Sequence, residues 1–586
     1  MATTPAAAPT WFGHPRQLAR LFTTEMWERF GFYGMRALLT LYLADHFLFS
    51  DSTTNGLYGA FTSLVYLTPL FGGLLADRYL GSKRSVKLGA LMMAAGYFAL
   101  CFGGQSATPW AKIDGQRYVV EVTSTGEART QFLVDHGQRL RIKGNDDGSI
   151  ALLKADGSTA RTVAKTSFSA GGDRSPFYTM LMLFALSAIT VGNGFFKPNI
   201  STIVGSLYAQ GDRRRDAGFT IFYMGINLGS LISQFLCPLL ALYIGWWAGF
   251  GLAAIGMLFS WSLFQFDGGK LAGYGEPPQT GGPDRSLIVT IGALVAVPVV
   301  WMLFDNMLIT ADAAAAAAKS GSGFGGYLAS LPILGKLLFA TFFATVVGIP
   351  LWAWRNGTRA EFQMMMAAFV LIVFNVVFWT LFEQAGSSLT FFADRNTDRQ
   401  IGSYLMPAGQ VQVFNALFIV VLAPVFGALW LKLAKRGWEP GIPVKFALAL
   451  IGAGVGFLAL VYGTKFAGVD FKVGLGWVAL TYLIHSIAEL CISPVGLSMI
   501  TKLSIARIMG LMMGVWFLSI AMAQYIAGIV AQFASVETVG GQVTNLKVSL
   551  ETYAGVFQTI GLIAAGIGVL LLAISPLLKR WMHGVD

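Results

Sequence analysis

Four ionisable side chains lie where a membrane-spanning helix is expected. The stretch LFTTEMWERFGFYGMRALLTLYLADHFLF is long enough to cross a bilayer, yet its first half carries Glu25, Glu28, Arg29 and Arg36. At about 100° per residue, Glu25, Arg29 and Arg36 share one helix face with Tyr33, and Glu28 flanks that face. A charge inside the hydrocarbon is costly unless it is paired or hydrated. The pattern therefore predicts a polar cavity in which carboxylates and bases meet.

Three more charges interrupt later apolar stretches. Lys197 lies in VGNGFFKPNIS, Glu383 in FWTLFEQAGSSL and Glu489 in IAELCISPVG. Together with the first stretch this gives four carboxylates against three bases, so one carboxylate would lack a basic partner if all were ionised. The charge count leaves a place for one proton or one cationic ligand group. A cavity that holds charges of both signs suits a zwitterion better than a simple ion.

The composition predicts a polytopic membrane protein. Of 586 residues, 55% are hydrophobic and 12% charged, and the mean hydropathy is +0.61. The net charge of +11 comes from basic residues in short loops between apolar runs, which indicates membrane orientation and argues against nucleic-acid binding. The spans contain no HExxH motif and no Cys/His pair, so a membrane-embedded enzyme is disfavoured.

Apolar runs predict fourteen membrane spans. The even number and the excess of Lys and Arg in alternate loops place both termini in the cytoplasm. Removing an inserted helix pair at 285–353 leaves six spans before it and six after it, which favours two six-helix bundles around a central cavity. We expect the following organisation: 1–105, first three spans of the N-terminal bundle; 106–176, a periplasmic insert; 177–266, the last three spans of that bundle; 267–284, a cytoplasmic linker; 285–353, two inserted helices; 361–578, the C-terminal bundle.

The polar segment 106–176 differs from the short loops elsewhere. Alternating stretches such as RYVVEV, TQFLV and RLRIK are separated by the turn signals STGE, GNDDGS and ADGS. This pattern predicts a small β-rich domain outside the membrane. The fold class is thus all-α and polytopic, with a small β-rich extramembrane insert.

Several motifs occur together in their expected spans. The ExxER pattern Glu25-Met-Trp-Glu28-Arg29 is followed by FYGMRA, and later spans contain FYMGINLGSL, FFKPNIS, FWTLFEQAGSS and ELCISPVGLSM. In this combination the chain resembles the bacterial proton-dependent oligopeptide transporters of the major facilitator superfamily. GGLLADRYLGSKRSV is similar to that superfamily's loop between the second and third helices. The resemblance covers nearly the whole chain apart from 106–176.

The resemblance implies a role for each matching residue. For proton coupling it implies Glu25, Glu28, Arg29, Lys197 and Glu383. For peptide binding it implies Arg36, Lys197, Tyr33, Tyr66, Asn227, Asn415, Glu489, Ser493, Trp379 and Trp516. For the conformational loop it implies Asp77, Gly81, Lys83 and Arg84. Animal members carry a histidine where this chain has Gly59, so here protonation would rest on carboxylates.

The function implied by the resemblance is symport of a proton with a di- or tripeptide. Protonation of Glu383 would release Arg36 for the peptide carboxylate. The resemblance further implies a monomer in the bacterial inner membrane, with no cofactor other than the coupling proton. Two alternatives stay open: the same fold carrying another small substrate such as nitrate or a drug-like compound, and a peptide sensor that does not transport.

Overall fold

The computed structural model is mostly helical and divides into two compact units. It describes residues 10–125, 128–209, 212, 214–271, 273–277, 283–319, 323–493 and 496–585. Unit 1 comprises Met1–Ala37, Leu64–Phe102 and Met182–Met302; unit 2 comprises Leu38–Ser63, Gly103–Leu181 and Leu303–Asp586. Four unit boundaries fall inside helices, so both units share the helices Gln17–Leu41, Asp51–Leu75, Pro176–Ser206 and Ser286–Lys319.

Long helices form most of the chain. In order they are α1 (Gln17–Leu41), α2 (Asp51–Leu75), α3 (Ser82–Leu100), α4 (Pro176–Ser206), α5 (Arg215–Tyr243), α6 (Trp246–Gln265), α7 (Ser286–Lys319), α8 (Gly323–Ser330), α9 (Ile333–Asn356), α10 (Arg359–Phe382), α11 (Ser388–Asn396), α12 (Val413–Lys435), α13 (Ile442–Gly463), α14 (Leu475–Ile492), α15 (Gly496–Leu503), α16 (Met509–Phe533) and α17 (Leu546–Trp581). Among the described residues, twelve helical segments are long and apolar enough to cross a membrane. All twelve coincide with predicted spans.

The other two predicted spans, the first and the third, are helices α1 and α3. Helix α1 has 25 residues and carries two glutamates and three arginines. Helix α3 has 19 residues and places Lys83, Arg84 and Lys87 within its first two turns. Both helices are as long as a span requires, and their charges set them apart from the twelve more apolar segments.

One predicted element boundary is wrong. The sequence predicts that the segment ADAAAAAAKSGSGFGG joins the two inserted helices, but α7 continues through its alanines to Lys319. Alanine has the highest intrinsic helix propensity, and this run extends the helix beyond its most apolar part. The predicted span over 361–388 lies inside the helical segment Arg359–Asn396, which is long and apolar enough to cross a membrane. In the structure α10 ends at Phe382, the tighter turn Glu383–Gly386 follows, and α11 begins at Ser388.

The predicted β-rich insert is confirmed as a seven-stranded antiparallel sheet. Its strands are β1 (Thr108–Ile113), β2 (Gln116–Thr125), β3 (Ala128–Asp135), β4 (Gln138–Gly144), β5 (Ile150–Leu153), β6 (Thr159–Val163) and β7 (Phe168–Asp173). The spatial order is β6-β5-β4-β3-β2-β1-β7, so hairpins connect all neighbours except the last pair. Strand β1 pairs with β7 from Thr108 opposite Asp173 to Ile113 opposite Phe168. The insert thus begins and ends on adjacent strands.

The insert packs on the connection between α16 and α17, which belongs to the same unit. Buried Val539 from that connection joins Ile113, Val120 and Leu133 in the core of the insert. The Gly144 amide donates to the Thr544 carbonyl at 3.0 Å. These contacts fix the sheet against the α16–α17 connection.

Candidate functional site

Glu25, Glu28 and Arg29 of α1 form a buried cluster that the partly exposed Lys197 of α4 joins. Arg29 Nη2 donates to Glu28 Oε1 at 2.6 Å, and Arg29 Nε lies 3.5 Å from Glu25 Oε1. Lys197 Nζ donates to the same Glu25 oxygen at 3.3 Å. Glu25 and Glu28 are 0% exposed and Arg29 is 4% exposed. Two carboxylates and two bases thus balance each other inside unit 1.

Glu25 is the shared member of this cluster. Its Oε1 faces both Arg29 and Lys197, whereas its Oε2 is buried and accepts no hydrogen bond from the described residues. A carboxylate with one unpartnered oxygen can accept a proton there. Protonation would weaken its attraction for the two bases, so the geometry allows exchange of a proton for an ion pair.

Close contact among α2, α3 and α4 brings these side chains together. A Cβ on Gly72 of α2 would lie 2.1 Å from the Gly194 carbonyl oxygen of α4. A Cβ on Gly89 of α3 would lie 2.4 Å from the Gly192 carbonyl oxygen. Only glycine permits such backbone approach. The backbone of α4 therefore packs directly against α2 and α3 in unit 1.

Asn193 is a member of this site that the sequence analysis does not include. It is 2% exposed and lies one turn before Lys197 on α4. Arg29 Nη2 donates to Asn193 Oδ1 at 3.3 Å, and Asn193 Nδ2 donates to the Val65 carbonyl of α2 at 2.8 Å. The signal in the sequence is a polar residue at i−4 from Lys197, which places both on one helix face.

The predicted peptide-binding residues of unit 1 lie on four helices, with Lys197 of α4 already described in the cluster. Tyr33 follows the cluster on α1, and its ring centroid is 5.9 Å from the guanidinium carbons of both Arg29 and Arg36. Tyr66 of α2 is half-buried and adjoins Val65. Asn227 of α5 donates to the Tyr223 carbonyl at 3.1 Å, one turn earlier in its own helix.

The predicted conformational loop is bound by residues of the predicted linker. Lys83 Nζ lies 3.1 Å from Glu276 and 3.6 Å from Asp267, and Arg84 Nη1 lies 2.9 Å from Asp284. A backbone hydrogen bond from Ser286 and the contact with Arg84 lower the pKa of Asp284.

Two further residues define the geometry of this loop. Asp77 is exposed in the turn Ala76–Leu80. Gly81 has φ +72°, and a Cβ there would lie 2.6 Å from the Pro277 nitrogen. Positions 272 and 278–282 of the linker lie outside the described residues.

In unit 2, hydrogen bonds join the two predicted tryptophans. Trp379 Nε1 donates to Asn375 Oδ1 at 3.1 Å, and Asn375 Nδ2 donates to Ser519 Oγ at 3.3 Å. Ser519 Oγ in turn donates to the Trp516 carbonyl at 2.7 Å. Glu383 begins the turn after α10 and is 3% exposed. This arrangement holds α10 against α16.

Glu489 is oriented by an amide on α12. Asn415 Nδ2 donates to Glu489 Oε2 at 3.1 Å and lies 3.0 Å from Ser486 Oγ. Ser493 is exposed one turn after Glu489, and its amide donates to the Glu489 carbonyl at 2.9 Å. A carboxylate held in this way can accept hydrogen bonds from a cationic amine.

The predicted site residues therefore fall into two groups. Unit 1 contains the ExxER cluster, Lys197 and the conformational loop, and unit 2 contains Glu383 and Glu489 with their neighbours. Arg36 belongs to unit 1 and Glu383 to unit 2, and their proton-controlled pairing stays a prediction.

A second buried ion pair escapes the sequence analysis. Arg395 of α11 binds Asp51 at the start of α2 through two hydrogen bonds, at 2.6 and 2.7 Å, and donates to Tyr553 Oη at 3.1 Å. Both charges stand at the ends of predicted spans, where a sequence pattern cannot distinguish them from loop charges.

Comparison with known proteins agrees with this architecture. The sequence profile of the POT family, PTR2, matches residues 84–546. The chain is 32% identical to the "Uncharacterized transporter YclF" of Bacillus subtilis over 585 residues, covering 98% of this chain and 96% of the relative. It is 30% identical over 577 residues to "Dipeptide and tripeptide permease A" of Salmonella typhimurium, covering 98% and 95%.

Solved structures show the same fold. A "peptide transporter POT in complex with sulfate" has a TM-score of 0.71 at 29% identity, covering 98% of both chains. "Tetrameric PepTSo2" has a TM-score of 0.70 at 25% identity, covering 96% of this chain and 99% of that one. Fold and sequence together define a multi-pass membrane transporter and not an enzyme. The chain belongs to the POT family.

Proposed function

We propose that this protein is a proton-coupled symporter that imports di- and tripeptides by alternating access. The observation that carries the proposal is the shared carboxylate of Glu25. One of its oxygens faces Lys197 and Arg29, and the other is buried and can take a proton. The membership of the POT family and the similarity to dipeptide and tripeptide permeases support peptides as substrates.

In this proposal each end of the peptide meets a charge of the opposite sign. Arg36 and Lys197 bind the carboxylate, and Glu489, oriented by Asn415, binds the amine. Protonation of Glu25 frees Lys197, and protonation of Glu383 frees Arg36.

The other predicted residues complete the site. Tyr33, Tyr66 and Asn227 bind the peptide backbone. Trp379, Trp516 and Ser493 contact peptide side chains. Glu28 and Arg29 complete the coupling cluster, and the 77–84 loop changes its contacts as access alternates.

The proton gradient supplies the free energy. Each proton carries about 2.3 kcal/mol per 100 mV of membrane potential. A pH difference adds about 1.4 kcal/mol per unit. The proposal places the protein in the bacterial inner membrane as a monomer, with both termini in the cytoplasm, the insert in the periplasm and the proton as the only cofactor.

The test is uptake of labelled dialanine by liposomes containing the purified protein. We expect accumulation that requires an inward proton gradient or a negative interior potential. Competition by dipeptides but not by nitrate would distinguish peptides from the alternative anion substrate, since Glu489 repels an anion. Uptake that ignores both pH and potential would refute symport, and binding without any uptake would indicate a sensor.

Glu383→Gln separates coupling from binding. Because the amide cannot ionise, we expect Glu383→Gln to retain counterflow exchange and to lose concentrative uptake. The matched control is Glu361→Gln in the first turn of α10, the helix that ends directly before Glu383. Glu361 forms a capping box with Thr358, and glutamine preserves that arrangement. Concentrative uptake by Glu383→Gln equal to that of the control would remove Glu383 from the mechanism.

A further inference from the structure

Asn193 makes two hydrogen bonds that have no role in the transport cycle proposed above. Its Oδ1 accepts from Arg29 Nη2 at 3.3 Å, and its Nδ2 donates to the Val65 carbonyl at 2.8 Å. The side chain is 2% exposed. One buried amide therefore joins the ion cluster on α1 to the backbone of α2.

The Val65 carbonyl needs this donor because of a proline one turn later. In a helix this carbonyl would accept a hydrogen bond from the amide of residue 69, and residue 69 is Pro69, inside α2. Proline has no amide hydrogen, so the Val65 carbonyl is left without its helical donor. Asn193 Nδ2 supplies the missing hydrogen bond from α4.

The amide orientation of Asn193 is determined by its two neighbours. A guanidinium can only donate and a carbonyl can only accept. Flipping the side chain would turn its NH₂ group toward Arg29 and its oxygen toward the Val65 carbonyl, and both hydrogen bonds would be lost. A shift of Arg29 therefore moves the hydrogen-bond partner of the proline break in α2, directly beside Tyr66.

We propose that Asn193 is a positioning residue that links the Arg29 cluster to the Pro69 break in α2. This inference rests on the proposed function, in which the protonation state of the cluster controls transport. When the partners of Arg29 change charge, Asn193 transmits the change to the part of α2 that carries Tyr66. The link differs from ordinary packing because both ends are hydrogen bonds with fixed donor and acceptor.

The first test compares Asn193→Ala with a matched variant of the same helix. Asn199 is 1% exposed, and its Nδ2 donates to the Phe195 carbonyl within α4. Asn199→Ala thus removes a buried amide whose donated hydrogen bond stays within α4. We expect Asn193→Ala to reduce proton-driven concentrative uptake about tenfold relative to counterflow, because it removes a hydrogen bond to a charged group. Asn199→Ala should leave the ratio within about twofold.

The outcomes separate the two proposals. If the unmodified protein shows no proton-driven uptake, the proposed function fails. If it does, and the ratio of concentrative uptake to counterflow in Asn193→Ala equals that in Asn199→Ala, the positioning role is refuted. A general loss of folded protein would lower both activities together and leave their ratio unchanged.

A double-mutant cycle with Pro69→Ala provides a readout that packing alone would not change. Alanine restores an amide at position 69, so the Val65 carbonyl no longer depends on Asn193. We expect Asn193→Ala to lower the thermal unfolding midpoint less in the Pro69→Ala background than in the unmodified protein. Additive effects of the two substitutions would contradict the link between Asn193 and the proline break.

Discussion

At the scale of single residues, close packing at Gly59 leaves no room for a side chain that could bind a proton. A Cβ at this position would lie 2.8 Å from the Gly528 Cα, so α2 and α16 contact each other through backbone atoms. The histidine that animal members carry at the matching position cannot be accommodated here without separating the helices. The proposed proton acceptors of this chain are accordingly carboxylates, with Glu25 the clearest by geometry.

We expect Gly59→His to destabilise the protein without adding a proton site. Overpacking a tight contact costs typically 1–3 kcal/mol, and a histidine adds far more volume than a methyl group. Gly59→Ala should show a smaller effect of the same sign. The measurement is the thermal unfolding midpoint in detergent, with Gly292→Ala as control because a Cβ at Gly292 meets no described atom within 4 Å. A Gly59→His midpoint as high as that of the control would contradict the packing argument.

Single residues also show where sequence reasoning stops. The charged residues inside apolar stretches were conspicuous, because each violates the surrounding pattern. Asn193 was not, because a lone amide beside two glycines resembles ordinary helix packing. Its importance depends on Pro69, which is far away in sequence. Only the folded chain shows that Asn193 donates to the Val65 carbonyl, which Pro69 leaves without a helical donor.

At the scale of elements, the structure differs from the sequence prediction mainly at the ends of helices. Sequence patterns located the spans, since bilayer thickness imposes a length on any apolar helix. They did not locate the break between α10 and α11. There the Gly386 backbone approaches Tyr58 so closely that a Cβ would lie 1.8 Å from its hydroxyl, and Thr40 Oγ1 donates to the Gly386 carbonyl. Such a tertiary contact has no periodic signature.

The Asp51–Arg395 ion pair joins α2, α11 and α17, so we expect its loss to destabilise the contact among these three helices. Asp51 begins α2, Arg395 lies in the last turn of α11, and Tyr553 of α17 completes the network. Asp51→Asn removes the carboxylate that binds the buried Arg395 guanidinium through two hydrogen bonds, so we expect a loss of about 3–5 kcal/mol of stability. Thermal unfolding measures it.

The control for this prediction is an exposed ion pair on the insert. Asp114 and Arg161 are about half exposed, so Asp114→Asn should change stability by less than about 1 kcal/mol. If Asp51→Asn unfolds at the same temperature as Asp114→Asn, the buried pair does not hold these helix ends together.

At the scale of the whole molecule, an ion pair between Asp146 and Lys547 attaches the insert to the α16–α17 connection and stays formed at mildly acidic pH. Hydrogen bonds from Lys547 and Asn545 lower the pKa of Asp146. The lowered pKa means that Asp146 stabilises the contact fully above about pH 4 and loses this effect only as the pH falls through its folded value.

The contact between the insert and the α16–α17 connection should therefore be equally stable at every pH at which the proton gradient drives transport. We expect hydrogen exchange at the Gly144 amide, corrected for intrinsic rate, to be unchanged between pH 5 and 7.5. Lys547→Met should increase this exchange equally at both values. A large increase at pH 5 in the unmodified protein would show that acid releases the insert.

The pairing of β1 with β7 has a practical consequence for engineering. Thr108 and Asp173 stand opposite each other, so the backbone enters and leaves the insert at points about 5 Å apart. A segment with adjoining ends can be exchanged for a short turn, or for a reporter protein whose termini lie close together, while the chain keeps its path from α3 to α4. The transporter thus contains a natural grafting position, where a fluorescent or affinity module can be carried without touching a membrane helix.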